Sequence, residues 1–192
     1  MKDFKNDIDE FYKKIALQDS INDGKNSKEI EKKIALSLGY TIDDIRTGAN
    51  LGLGCGNPIE NANLKKGEIV LDLGSGKGID VFKASRVVGD KGLVIGVDRL
   101  AEMVEKATNI SKKKNFTNTK FIQSDIDNLK IDDKTIDCVI SNCVINLCDD
   151  KKKVYSEIFR VLKPGGRISI SDIVQVNELP HDIKNDPIFH AT

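Results

Sequence analysis

From residue 68 onward, short apolar runs alternate with stretches whose apolar residues recur every three or four positions. The runs predict strands over 68–73, 93–98, 119–123, 136–141 and 167–173, and the stretches predict helices over 78–88, 100–114 and 150–162. Leu100, Met103, Val104, Ala107 and Ile110 share one helical face, the stripe a helix turns toward a core. Ile69, Val70, Leu71 and Leu73 form instead a nearly unbroken apolar run, as in a parallel strand covered on both faces. Such alternation predicts an α/β fold built on an open, mostly parallel sheet. Right-handed crossovers then give the strand order 3-2-1-4-5, with a switch point between strands 1 and 4 above whose carboxyl ends a ligand would sit.

Upstream of the sheet the period is helical. Phe4, Ile8, Phe11, Tyr12 and Ile15 predict a helix over 3–17, and the polar stretch 19–27 with Asn22-Asp23-Gly24 reads as a link. Asn26 and Glu29 have capping-box spacing for a helix that runs to Leu38 and stops at Gly39, and Thr41 suits the cap of a short helix to Arg46. Residues 1–50 are thus expected as a helical appendage, 51–176 as the α/β domain and 177–192 as a polar tail carrying His181 and His190 as solvated loop residues. A chain of 192 residues suits one domain with a substantial core and no second full domain.

The strand at 68–73 runs into Gly74-Ser-Gly-Lys-Gly78 and then a helix, so the glycine loop opens on a helix N-terminus, where backbone amides can meet a ligand. Two familiar templates fail on spacing. A dinucleotide fingerprint needs glycine at the sixth position, but counting from Gly74 that position is Ile79 and from Gly76 it is Val81. A phosphate loop needs Ser or Thr directly after Gly-Lys, and Lys77 is followed by Gly78. What remains is G-x-G-x-G between strand and helix, with Asp98 ending the second strand about twenty residues on, where an acid accepts from both ribose hydroxyls. This arrangement resembles the S-adenosylmethionine site of class I methyltransferases, with their Rossmann-like sheet. The resemblance implies that Asp72, Gly74, Ser75, Gly76 and Gly78 face the methionine moiety, Asp98 the ribose, Asp125 and Ile126 the adenine edge, and that Arg99 and Asn142 adjoin the cofactor.

Thirty Lys plus Arg balance thirty Asp plus Glu, which gives no reason to expect a nucleic acid or an anionic membrane as partner. The N-terminal MKDFKNDIDEFYKK is too charged for a signal peptide and no apolar run approaches a membrane span, so a cytoplasmic protein is expected. In that setting the four cysteines read as free thiols, core residues or ligands for a soft element rather than as a disulfide frame. Cys138, inside an apolar strand, reads as core, and Cys148, before the helix at 150, as an ordinary half-buried thiol. Cys55 lies in the glycine-rich loop Asn50-Leu-Gly-Leu-Gly-Cys-Gly-Asn-Pro58, which can fold over the cofactor crevice, and Cys143 follows strand 4 at the switch point.

The strings NLGLGCGNP (50–58) and SNCVINL (141–147), with LDLGSGKGID, resemble arsenite S-adenosylmethionine methyltransferases over roughly residues 40 to 187. The resemblance implies that Cys55 and Cys143 hold trivalent arsenic, that Asn57, Asn142 and Asn146 line the site, and that arsenite or methylarsenite is the substrate. The chemistry is coherent: arsenic(III) is soft and pyramidal, thiolates are soft ligands, and the arsenic lone pair can attack a sulfonium methyl without a general base. Two departures stand out. Residues 1–54 contain no cysteine, and the cysteine that the family carries after a stretch like 179–187 does not appear before Thr192, so the third arsenic ligand is expected from hydroxide, a small thiol or a recruited Cys148. The last two strands of the class I sheet are also missing, which leaves strand 5 as an edge through which two copies could pair. A small organic acceptor, or a noncatalytic binder of the cofactor or of arsenic(III), remain as alternatives.

Overall fold

The structure is a computed structural model that describes residues 5–18 and 27–178; the proposed cap at Asn26 and both histidines lie outside the described residues. Its centre is a five-stranded parallel sheet in the order β3-β2-β1-β4-β5, as the crossover argument requires. The strands are β1 Ile69–Leu73, β2 Leu93–Asp98, β3 Thr119–Gln123, β4 Ile136–Asn142 and β5 Leu162–Ser171. The helices are α1 Lys5–Gln18, α2 Ser27–Ser37, α3 Ile42–Ile45, α4 Pro58–Ala62, α5 Ile79–Val88, α6 Ala101–Lys113 and α7 Lys151–Val161.

The two-residue period of β1 divides the core. Val70 turns toward α4 and α5 with Val81, Ala84, Val88, Cys138 and Ile140, while Leu71 and Leu73 turn the other way toward Val139, Val154, Ile158 and Val161. Both faces of the central strand are thereby dry, and a fully buried aliphatic side chain contributes about 1.5–3 kcal/mol. Asp72 shares the α4/α5 face of Val70 and is itself 2% exposed, which places a carboxyl group inside the layer that approaches the ligand end.

Two elements depart from the expectation. β5 begins at Leu162 rather than 167, because Lys163-Pro-Gly-Gly166 is absorbed as an irregularity: Leu162 pairs with Ile136 and Arg167 with Cys138, so only Asp137 faces the intervening residues. Lys163 Nζ closes that gap on both oxygens of Asp137 at 2.8 Å. The segment before β1, expected as loop, contains α4, whose last carbonyls are taken by Arg167 through Ala62 O at 2.6 Å and Asn63 O at 2.8 Å. Arg167 also makes a two-point contact with Glu68, and this holds Glu68 below the ordinary carboxylate range.

The appendage is not a separate body. Ile15 and Ala16 of α1 pack with Leu51 and Met103, so α1 lies along α6 near the carboxyl ends of β2 and β3. Among the described residues no helix is long and apolar enough to cross a membrane.

Candidate functional site

The glycine loop forms as its composition requires. Gly74, Gly76 and Gly78 have φ of 66°, 51° and 91°, a region that other residues enter only with strain. At Gly74 there is no room either, since a Cβ would collide with Val144. Ser75 N–H donates to Val97 O and Gly78 N–H to Ser75 O, which folds the loop back over the end of β2. Asp98, the last residue of β2, accepts from Gly76 N–H at 2.9 Å and Leu100 N–H at 3.0 Å. Burial pushes its carboxyl up to about 6 although those two amides pull the other way.

Burial and the neighbouring Asp80 and Asp98 push Asp72 well above the ordinary carboxylate range. Ser75 Oγ is buried and finds no partner among the described residues, an orphan of the kind a bound polar ligand would satisfy. A concave turn of glycines, a buried acid at the end of the next strand and an unpaired hydroxyl are the parts a nucleoside cofactor needs at this position. Arg99 bridges Asp125 and Asp9 of α1 at 3.2 Å each, and Lys5 of α1 reaches Asp125 at 3.8 Å. Thus Arg99 and Asp125 join the ends of β2 and β3 to α1, with Ile126 buried beside them. Tyr12 of α1 completes this wall, its phenol pushed up to about 12 by burial and then by the charge of Asp98.

The second half of the site grows from the end of β4. Cys143 takes φ of 54°, left-handed for a non-glycine residue, and its N–H donates to Ser171 O at 2.8 Å. Asp172 accepts from Asn146 N–H at 3.1 Å and so orders the following turn Ile145–Leu147. The loop 50–57 folds across this end of the sheet and brings Cys55 to Cys143. Their Cα atoms are 5.9 Å apart and the two are joined as a disulfide. This corrects the expectation of thiols, core residues or ligands without a disulfide: the loop 50–57 packs so closely on the end of β4 that two distant thiols become neighbours, and neighbouring thiols can bond. Phe11, Tyr12, residues 52–55, Cys143, Asn146, Leu147 and Ile173 line a cleft of about 320 Å³ with that pair in its wall.

Of the three asparagines, Asn146 lines the cleft, Asn57 lies buried ahead of α4 and donates to Glu60, and Asn142 stands behind Cys55. Cys138 is core, and burial pushes its thiol up to about 11. Cys148 is half-buried and pushed up to about 11 for the same reason, so the helix end beside it does not activate it. A larger hollow of about 610 Å³ near Lys66, Arg86 and Asn118 lies at the amino end of β2, away from both halves of the site. Two residues the sequence reading passed over stand at the junction of these halves: Tyr40, read only as part of the appendage, and Asp80, read only as the start of a helix. Both are buried.

Sheet order and glycine cradle together define a class I S-adenosylmethionine-dependent methyltransferase fold. Residues 64–191 match the family model described as a methyltransferase domain, and the chain belongs to that family. It is 45% identical over 176 residues to the arsenite methyltransferase of Halobacterium salinarum, an alignment that covers 90% of this chain and 45% of that protein. The crystal structure of an arsenic(III) S-adenosylmethionine methyltransferase from Chlamydomonas reinhardtii superposes with a TM-score of 0.66 at 37% identity, covering 83% of this chain and 53% of that one. A SAM-dependent methyltransferase from Aquifex aeolicus gives a TM-score of 0.59 at 25% identity, covering 79% of each chain. The chain therefore spans about half the length of that arsenite methyltransferase.

The cysteine pairing has a direct check. In denaturant without reductant a thiol reagent is expected to find two reactive groups, Cys138 and Cys148, and after reduction all four cysteines. Four reactive thiols before reduction would show that Cys55 and Cys143 are not joined in the isolated protein.

Proposed function

We propose that this protein methylates trivalent arsenic, holding it between Cys55 and Cys143 beside a bound S-adenosylmethionine. The observation that carries the reading is the meeting of these two cysteines, 88 residues apart in sequence, at the wall of a cleft next to the glycine cradle. Val144, the neighbour of Cys143, packs on Gly74, so the thiol pair and the cradle share a border.

S-adenosylmethionine, when bound, supplies an electrophilic methyl carbon on a positive sulfonium. Asp98 is placed to accept from the ribose hydroxyls, and Gly74, Ser75, Gly76 and Gly78, with Asp72 behind them, to border the methionine part. Arg99, Asp125 and Ile126 would flank the adenine, and Tyr12 with Phe11 would close the cleft to water. The reduced Cys55 and Cys143 bind arsenite by replacing two of its hydroxyls and releasing two waters; hydroxide or a small thiol remains as the third ligand. Their thiolates keep the arsenic lone pair directed at the methyl carbon, and no side chain need remove a proton.

Methyl transfer to arsenic would break the sulfonium carbon–sulfur bond, leave S-adenosylhomocysteine and oxidise arsenic by two electrons. Cys55 and Cys143 can return both by closing their disulfide, while a water takes the vacated place on arsenic and gives up a proton; a methylated arsenic(III) then leaves and the pair stands in the bonded state seen here. Two equivalents of a small thiol then reduce the disulfide and leave as its oxidised dimer. A reducing, cytoplasmic location suits this requirement. On its outer side β5 has no strand partner among the described residues, and Ile168 on it, with Tyr155 and Phe159 on α7, is exposed, so we place a second copy on that edge.

With S-adenosylmethionine, arsenite and a thiol reductant, the protein is expected to yield methylarsenicals, and Cys143→Ser to lower the rate by about a hundredfold or more. Turnover of another acceptor that ignores this substitution would favour a small organic substrate instead. The cofactor site has its own signature. Ribose contacts need the carboxylate of Asp98, so affinity for S-adenosylhomocysteine should fall as pH drops through about 6 and approach a tenfold loss per pH unit below it. The free fold responds in the opposite sense: a raised carboxyl stabilises it fully below the unfolded value, and that contribution is lost as pH rises through about 6. Asp98→Asn should flatten the binding profile, and an unaltered profile would remove Asp98 from the ribose. Light scattering should find a dimer that an Ile168→Lys substitution dissociates; a monomer at every concentration would contradict the edge pairing.

A further inference from the structure

Cys55 lies on a loop with no helix or strand of its own, and a thiol pair is useful only if both members are held. Cys143 is held by β4 and by the hydrogen bond that its N–H donates to Ser171 O. What holds Cys55 is the side chain of Asn142, the last residue of β4. Its Oδ1 accepts from Cys55 N–H at 3.1 Å, and its Nδ2 donates to Gly56 O at 2.9 Å. The same Nδ2 also lies 3.0 Å from Tyr40 Oη and 3.2 Å from Asp80 Oδ2. Tyr40 Oη in turn donates to Asp80 Oδ1 at 2.7 Å, which spends its single proton there and leaves a lone pair for Asn142.

The orientation of the amide is therefore determined. Rotated by half a turn, it would set its NH₂ against Cys55 N–H and its oxygen against Gly56 O, two repulsive contacts in place of two bonds. The fit leaves no slack, since a Cβ on Gly54 would stand 2.8 Å from Asn142 Nδ2 and one on Gly56 2.6 Å from Ser171 Oγ. The far end of the network is anchored as well. Lys83 of α5 lies 4.8 Å over the Tyr40 ring and donates to Gly39 O at 3.0 Å, and Arg86 of α5 pairs with Asp44 of α3. Thus α5 grips the segment 39–46, that segment presents Tyr40, and Tyr40 with Asp80 orients the amide that holds Cys55.

We infer that Tyr40 and Asp80 are positioning residues: acting through Asn142, they latch the Cys55 loop to the end of β4 and set the effective concentration of Cys55 at Cys143. The inference rests on the proposed arsenic role of the pair for its biological meaning, but the latch itself is testable without arsenic.

In glutathione buffers the protein disulfide plus two glutathione thiols equilibrates with two protein thiols plus oxidised glutathione, and the position of that equilibrium reports the effective concentration directly. Alkylation followed by mass measurement reads it for the wild type, for Tyr40→Phe, which removes the bond to Asp80, and for Asp80→Asn, which presents a donor where Tyr40 or Asn142 also donates. Each variant is expected to lower the effective concentration about fivefold or more. Affinity for S-adenosylhomocysteine and thermal midpoint should stay near the wild-type values. An unchanged equilibrium in both variants would overturn the latch. A parallel loss of cofactor affinity and thermal midpoint in both would overturn it too, because Tyr40 and Asp80 would then serve the fold rather than the pair. Phenylarsine oxide binding on the same samples separates this from the proposed function: a wild type that ignores the arsenical while its variants still shift the redox equilibrium keeps the latch and rejects the arsenic site.

Discussion

The parallel pairing of β1 with β4 is the constraint on which the rest of this site depends. Leu73 lies opposite Ser141, so the two strands finish side by side, and their connections leave in different directions. The glycine cradle grows from one end and the Asn142-Cys143-Val144 corner from the other. Contact between them, Val144 on Gly74, requires a glycine at that position for space as well as for conformation. A register slip of one residue between these strands would turn Asp72 and Asn142 to the wrong faces and separate the cradle from the thiols.

A second consequence of that pairing is electrostatic. Asp72, Asp80 and Asp98 are gathered within one buried region, and burial is the leading cause of the upward shift of each. The fold meets that cost unevenly. Asp98 is given backbone amides, Asp80 is given the Tyr40 hydroxyl and the Asn142 amide, and Asp72 is left beside the other two. Placing Asp72 and Asp98 at a ligand end is costly for a free fold and useful for one that binds a polar cofactor carrying a positive sulfonium, whereas Asp80 is turned to Tyr40 and Asn142.

How much of this could be read from the chain follows from the range of the interactions. Strand order, the glycine turn and the place of Asp98 at the end of β2 were legible, because they rest on local periodicity, glycine spacing and the handedness of crossovers. The capping box of Thr41 with Asp44 was partly legible, since Thr41 was expected as a cap. The disulfide was not, because Cys55 and Cys143 meet only once a loop without periodicity folds over β4. Tyr40 and Asp80 were missed for a related reason: their roles are defined by each other and by Asn142 across 40 or more residues of sequence. Asn142 was expected beside the cofactor, and the bonds of its side chain to the loop that carries Cys55 were not foreseen. The start of β5 was misplaced because Pro-Gly-Gly, a turn signal by composition, here occupies a widened irregularity in a continuing strand.

The arsenic reading reduces to a single geometric statement, that Cys55 and Cys143 together bind one arsenic atom. X-ray absorption at the arsenic edge, on reduced protein loaded with one equivalent of arsenite in the absence of added thiol, tests it most directly. The account requires two sulfur neighbours and one oxygen neighbour per arsenic, with one sulfur lost in Cys143→Ser. An arsenic surrounded by oxygen alone, or a sulfur count that the substitution leaves unaltered, would contradict it.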